Sequence, residues 1–341
     1  MNERGAFTHA EIFSQPDAWS TALKVLNETR PSILALHPRR YEQILFTGCG
    51  STYYLALAAA TLTQALTGRP VRALPASELW LYPASAYTSV PTLLVAVSRS
   101  GETTETLRAC EAFLADQRGD LVTLSCYDQM PLARMGTFNL VLPSGQERSV
   151  AQTRAFSVLY LASTALACLW AGRDDLFAAL SCLPEAGERL LRQYEPLAVD
   201  LGRDTSLDRF YFLGSGPRYG LGCELSLKMK EMSLSHSEPF HFMEFRHGPK
   251  AMVSSSTLIY GLRSMVNAHY ERAVLEDIRV LGGHILELGE SEATVCFDAG
   301  VEESISNVLF LLVGQMLAFE HAVSKGLNPD LPHNLDAVVK F

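Results

Sequence analysis

The chain has 341 residues, enough for two domains of ordinary size, and its 48% hydrophobic against 19% charged residues let each domain bury a core. The net charge of −9, with no long basic run, argues against nucleic acid or an anionic membrane surface as partner. An anionic ligand must therefore be captured by a local site and not by a global field.

Met1 to Ala10 is polar and charged, so no signal peptide is expected. The seven cysteines form no Cys-x-x-Cys pair and are odd in number, which predicts reduced thiols in a cytoplasmic protein. In chain order, an N-terminal helical segment fills residues 9–40, ahead of the first sheet. Apolar, β-branched runs predict strands near 43–47, 71–75, 92–97, 120–126 and 138–142. The apolar stretch 157–172 is about one turn too short to span a bilayer and reads as a buried helix. Residues 173–205 form a charged, Leu-spaced helical linker. Further strands are expected near 209–213, 257–262, 283–288 and 294–298. The apolar stretch 306–323 carries Asn307, Gln315, Glu320 and His321 and also reads as a core helix, and a polar tail occupies 326–341. The domain boundaries that follow are 1–40, 41–172, 173–205, 206–325 and 326–341. Strands alternating with helices imply parallel sheets with helices on both faces. Ligands in such folds sit beyond the carboxyl ends of the strands, where the strand order reverses.

An internal repeat links the two halves. Residues 44–53 read ILFTGCGSTY and residues 210–219 read FYFLGSGPRY, so Phe46, Gly48, Gly50 and Tyr53 recur as Phe212, Gly214, Gly216 and Tyr219. Each copy is a strand, a Gly-x-Gly turn and a helix. The third glycine of a dinucleotide fingerprint is missing from both, and no acidic residue stands at a suitable strand end to hold a ribose, which excludes a nicotinamide site.

The most informative segment is 92–106, TLLVAVSRSGETTET. A buried strand breaks into Ser98-Arg99-Ser100-Gly101-Glu102-Thr103, and a helix follows with Thr106, Leu107, Cys110 and Phe113 on one face. A hydroxyl-rich turn entering a helix N-terminus makes an anion pocket, because unpaired N–H groups and the positive end of the helix dipole converge there. Ser98, Ser100 and Thr103 supply hydroxyls and Arg99 a charge, so a phosphate monoester is the expected occupant. The matching turn of the second half, Leu262-Arg263-Ser264-Met265, lacks the hydroxyl cluster and the glycine, so that half must contribute something other than phosphate binding.

Residues 223–249 read CELSLKMKEMSLSHSEPFHFMEFRHGP. Glu224, Lys228 and Glu231 share one helical face, and the helix is expected to continue into His236, Glu238, His241, Glu244 and His247. Three histidines and four carboxylates in this segment exceed an ordinary solvated ladder. Their spacing does not fit a His-Glu-x-x-His zinc helix, so no metal is expected; a carboxylate beside Lys and His suits proton transfer.

Together these residues resemble the tandem sugar-isomerase (SIS) family. That family includes the isomerase half of glucosamine-6-phosphate synthase and the ketose/aldose isomerases and deaminases built like it. The resemblance covers nearly the whole chain. It runs through Glu11 to Pro16, Gly48 to Tyr53, Ser98 to Thr103, Glu147 to Phe156, Leu227 to Glu231, Phe245 to Pro249 and Asn328 to Leu335. It implies two doubly wound, flavodoxin-like parallel-sheet SIS domains in tandem, and no cofactor. By resemblance, Thr52, Ser98, Arg99, Ser100 and Thr103 hold a sugar 6-phosphate, with Arg99 where the family often has Gln. Ser51, Val150 and Gln152 touch the sugar, Gln152 replacing a common Ser. Glu231 is the base between C1 and C2, Lys228 orients oxygens or stabilises the enediolate, and His247 assists ring opening across a homodimer interface. The synthase has an N-terminal glutaminase domain that is not expected in a chain starting Met1-Asn2-Glu3, so glutamine is not the expected nitrogen donor. The family's tail lysine is Ala337 here, and Lys340 lies three residues on.

The expected activity is aldose–ketose isomerisation of a hexose or hexosamine 6-phosphate. The alternatives are a glucosamine-6-phosphate deaminase, releasing ammonia and fructose 6-phosphate, and a non-catalytic sugar-phosphate-binding regulator.

Overall fold

The computed structural model describes residues 4–338, so Lys340 lies outside the described residues. The chain divides into two compact units, each with its own sheet. The front unit holds Asp17–Glu147, Arg154–Ser181 and the tail from Asp336; the rear unit holds the chain up to Pro16, Arg148–Thr153 and Cys182–Leu335.

In the front unit, β1 (Gln43–Gly48), β2 (Val71–Pro75), β3 (Thr92–Val97), β4 (Gly119–Ser125) and β5 (Phe138–Val141) are all parallel, in the order β2-β1-β3-β4-β5. Every residue of β1 and β3 is buried, as expected of strands covered on both faces. Leu45, Leu94, Ala96 and Leu121 pack on one side with Ala109, Cys110 and Phe113 of the helix Thr104–Ala115. The helix Arg154–Trp170 is buried along almost its entire length, and Trp19 donates to Ser157 on it at 2.8 Å.

In the rear unit, β6 (Arg209–Gly214), β7 (His236–Phe240), β8 (Thr257–Leu262), β9 (His284–Gly289) and β10 (Val295–Cys296) repeat the arrangement as β10-β9-β8-β6-β7, again all parallel. Tyr211, Leu213 and Ile259 pack with Val274, Leu275 and Ile278 of the helix Ala268–Val280. Tyr260 donates its hydroxyl to the Phe310 carbonyl at 2.8 Å, at the start of the helix Phe310–Ser324. The helical stretch Glu303–Ser324 is long and apolar enough to cross a membrane, but 94% of its most apolar window is buried inside this unit. The protein is thus an α/β molecule with two parallel five-stranded sheets.

One expectation is corrected. The helix bearing Glu224, Lys228 and Glu231 spans Pro217–Ser233 and does not continue to His247. Leu234 takes a left-handed conformation, φ 52°, that ends it, and β7 follows. Within β7, Ser237 is buried between exposed His236 and Glu238, a strand period. Pro239 is tolerated because β7 is an edge strand.

Candidate active site

The two Gly-x-Gly turns share one geometry. A Cβ on Gly48 would stand 2.7 Å from the Thr52 backbone, and one on Gly214 would stand 2.4 Å from the Arg218 carbonyl oxygen. Gly50 and Gly216 both have positive φ, 54° and 60°. Only glycine lets each strand turn this tightly into its helix. In the front unit the helix Ser51–Thr67 follows, and Ser51 and Thr52 are both buried. The Thr52 hydroxyl donates to the Cys49 carbonyl at 3.0 Å and accepts from the Cys49 N–H at 2.9 Å, so it holds the turn itself. Burial pushes the Cys49 thiol up to about 11, which removes it as a nucleophile at neutral pH.

The Ser98–Thr103 turn is fixed by its backbone. The Ser98 N–H donates to the Leu124 carbonyl at 3.0 Å, and the Arg99 and Gly101 carbonyls accept from Cys126 and Leu132 at 3.1 and 3.0 Å. Gly101 has φ 71°. The structure brings the three hydroxyls together: Thr103 Oγ1 lies 3.1 Å from Ser98 Oγ and 3.5 Å from Ser100 Oγ. Thr103 is the N-cap of the helix Thr104–Ala115, yet its side chain makes no capping bond. The first-turn N–H groups therefore remain available to an outside acceptor. Arg99 is engaged differently. Its guanidinium pairs with Glu147 at 3.4 Å and donates to the Ala337 carbonyl at 3.0 Å.

Val150 and Gln152 lie on a loop, Arg148–Thr153, that belongs to the rear unit. Glu11 Oε1 accepts from the Arg148 N–H at 2.6 Å, and the Glu11 carboxylate also takes the Ser149 hydroxyl. The Asp330 carbonyl accepts from the Val150 N–H at 3.2 Å, while the Asp330 carboxylate caps the helix Ala6–Phe13 through Thr8 at 2.8 Å. Gln315, bonded to Gln15 at 2.8 Å, donates to the Thr153 carbonyl at 3.3 Å. A buried polar network thus fixes the loop at both ends. The buried amide oxygen of Gln152 has no partner among the described residues, leaving an acceptor for a ligand hydroxyl.

On the helix Pro217–Ser233, Lys228 is fully buried, Glu224 is fully buried one turn before it, and Glu231 follows with its side chain 18% exposed. The ammonium lies 3.3 Å from Glu224 and donates to Glu231 Oε2. Burial disfavours the ammonium, but the two carboxylates outweigh it and hold the Lys228 pKa above its ordinary value. Glu224 was legible only as one rung of a charge ladder; its burial beneath an interior lysine gives it weight in the cluster. His247 is exposed on the turn after the helix Phe242–Phe245 and makes no hydrogen bond to that cluster among the described residues. No group of three or more His, Cys, Asp or Glu fit to hold a metal occurs among the described residues.

Comparison with known proteins agrees with this architecture. Residues 39–169 match the model of the SIS domain. The glutamine–fructose-6-phosphate aminotransferase (isomerizing) of Methanothermobacter thermautotrophicus is 27% identical over 98% of this chain and 58% of its own length. Its namesake in Gloeobacter violaceus is 29% identical over 98% and 59%. The chain thus spans about three-fifths of the length of these curated relatives. Among solved structures, a glucosamine-6-phosphate deaminase of Thermotoga maritima superposes with a TM-score of 0.81 at 26% identity, covering 98% of this chain and 99% of that one. The tagatose-6-phosphate ketose/aldose isomerase of Escherichia coli shares the fold, with a TM-score of 0.84 at 22% identity over 97% and 96%. Residues 39–169 thus match the SIS domain, and nearly the whole chain is similar to the isomerizing aminotransferases and to the solved deaminase.

Proposed function

We propose that the protein isomerises a hexose or hexosamine 6-phosphate between aldose and ketose by moving a proton between C1 and C2. The observation that carries this reading is the Glu224–Lys228–Glu231 cluster. A half-shielded carboxylate is paired to a lysine that is wholly out of water and kept charged by a second carboxylate.

The Ser98–Ser100–Thr103 hydroxyls and the open N–H groups of the following helix take the phosphate. Ser51, Thr52, Val150 and Gln152 shape the sugar's surroundings, and Arg99 sets the turn. Phosphate binding energy, far from the reacting carbons, orients the open-chain sugar. Lys228 occupies Glu231 Oε2, which leaves Oε1 to take the proton from C2 of the aldose. The electron pair forms the C1–C2 double bond and the C1 carbonyl becomes an enediolate oxygen, stabilised by the ammonium. The C2 hydroxyl proton passes to the C1 oxygen, Glu231 returns its own proton to C1, and the C2 oxygen becomes the carbonyl. His247 opens the cyclic sugar, contributed across a homodimer. The doubly wound, flavodoxin-like character of both sheets, a second SIS domain spanning the rear sheet, and a cytoplasmic setting complete the reading.

A second reading, glucosamine-6-phosphate deamination, is favoured by the 26% identity to the Thermotoga deaminase structure over almost all of both chains. With an amine at C2, the same proton shift yields an imine, and water releases ammonia and fructose 6-phosphate. The test is a panel of hexose and hexosamine 6-phosphates assayed for ketose and for ammonia, with Glu231→Gln as control. Ketose without ammonia supports isomerisation and ammonia from glucosamine 6-phosphate supports deamination. Turnover of neither, or full activity in Glu231→Gln, overturns both.

A further inference from the structure

The two units use the same turn positions for different ends. The Arg263 N–H donates to the Leu288 carbonyl at 2.9 Å, just as the Ser98 N–H donates to Leu124 at 3.0 Å. Ser98 of the front turn thus corresponds to Arg263 of the rear one, and Ser100, two residues on, to Met265. Arg218 stands four residues after its close-packed Gly214, where Thr52 stands after Gly48. In the front turn the Ser98 and Ser100 hydroxyls meet at Thr103 Oγ1. In the rear turn the Met265 N–H and Arg218 meet at a carboxylate of the protein itself. Glu303 Oε1 accepts from the Met265 N–H at 2.8 Å and lies 3.0 Å from Arg218 Nη1.

Arg218 and Glu303 are shielded, with side chains 9% and 19% exposed. Arg218 Nε is buried and has no partner among the described residues. Glu271 takes the Ser264 N–H at 2.5 Å with one oxygen, and its other oxygen is buried without a partner among the described residues. An N–H and a guanidinium gripping one oxygen is what an oxyanion site offers its ligand.

We propose that the rear crevice is an oxyanion site filled by the chain's own Glu303 carboxylate, and that removing this carboxylate turns it into a binding site for phosphate or a phosphate ester. A tethered carboxylate acts at an effective concentration that free phosphate does not reach, so the intact chain leaves the rear crevice closed to substrate. The inference does not depend on the reaction assigned above, because it concerns a crevice to which that reaction gives no role.

The experiment counts inorganic phosphate bound per chain by isothermal titration calorimetry, in the full chain and in Glu303→Ala, each with and without Ser100→Ala/Thr103→Ala. Glu303→Ala is expected to bind one more phosphate than its parent in both backgrounds, and Arg218→Ala added to it is expected to abolish that extra phosphate. No extra phosphate in folded Glu303→Ala, or an extra one that survives Arg218→Ala, overturns the proposal. If the front turn binds no phosphate, the count rises from none to one instead of from one to two, so the two readings fail separately. Should Glu303→Ala not fold, Glu303→Gln keeps the packing but loses the charge. Phosphate is then expected to raise its Tm more than that of the parent, and an equal shift overturns the proposal.

Discussion

Lys228 and Glu231 stand on one face of the helix Pro217–Ser233, and the Lys228 ammonium, fully buried, donates to Glu231 Oε2 while Glu224 lies 3.3 Å behind it. The arrangement leaves Glu231 the most accessible member of the triad, paired to the lysine through one oxygen. Breaking it by removing the lysine leaves two carboxylates without their cation. Lys228→Met is expected to destabilise the fold by about 3–5 kcal/mol, the cost of uncompensated buried charge. Urea unfolding measures the loss; a stability equal to that of the parent would show the triad to be energetically neutral.

The same lysine sets a pH limit. Its folded pKa lies above the ordinary value of 10.5, because the carboxylates outweigh the burial that opposes its charge. The stabilisation is therefore fully present below that value and is lost as pH rises through the folded pKa. Alkaline titration followed by circular dichroism is expected to reveal a loss of stability above the ordinary lysine range. That loss is expected to be absent from a Lys228→Met/Glu231→Gln/Glu224→Gln variant.

Ester anchoring is expected to depend on the clustered hydroxyls. Each hydrogen bond to a charged oxygen contributes about 1.5–3 kcal/mol, so Ser100→Ala/Thr103→Ala is expected to raise KM by at least about tenfold. A kcat that falls while KM stays constant would move these hydroxyls away from the ester.

Gly101 combines φ 71° with a Cβ position 3.0 Å from the Met130 side chain. Gly101→Ala is expected to destabilise the front unit by about 1–3 kcal/mol. An unchanged denaturation midpoint would mean that the turn relaxes without strain.

Arg99 donates to the Ala337 carbonyl and pairs with Glu147. Arg99→Gln is expected to free the tail, and limited proteolysis followed by mass spectrometry is expected to find faster cleavage after residue 335. Equal cleavage rates would remove Arg99 from the tail's attachment.

The strands around the front turn were legible because β1 and β3 carry apolar runs, Ile44–Phe46 and Leu93–Val97, closed by Gly48 and by Ser98, a pattern that burial on both faces demands. The repeat was legible because Gly48 and Gly214 meet the same steric wall. β7 was not, since its charged, Pro-containing sequence resembles the end of a helix until Leu234 adopts positive φ and breaks it. The diversion of Arg99 to Glu147 was hidden because the partners lie 48 positions apart in the chain. Glu303 was hidden for the same reason, 85 positions from Arg218.

Residues Arg148–Thr153 belong with the rear unit, held by Glu11, Asp330 and Gln315, while the stretches before and after them belong to the front one. Neither half is therefore a contiguous piece of the gene. A single breakpoint at the helical connector would separate Glu11 from Gln315 and Asp330, so the bracing of that short stretch would be divided between two polypeptides. Independent expression of the halves would yield fragments that complement one another only when mixed.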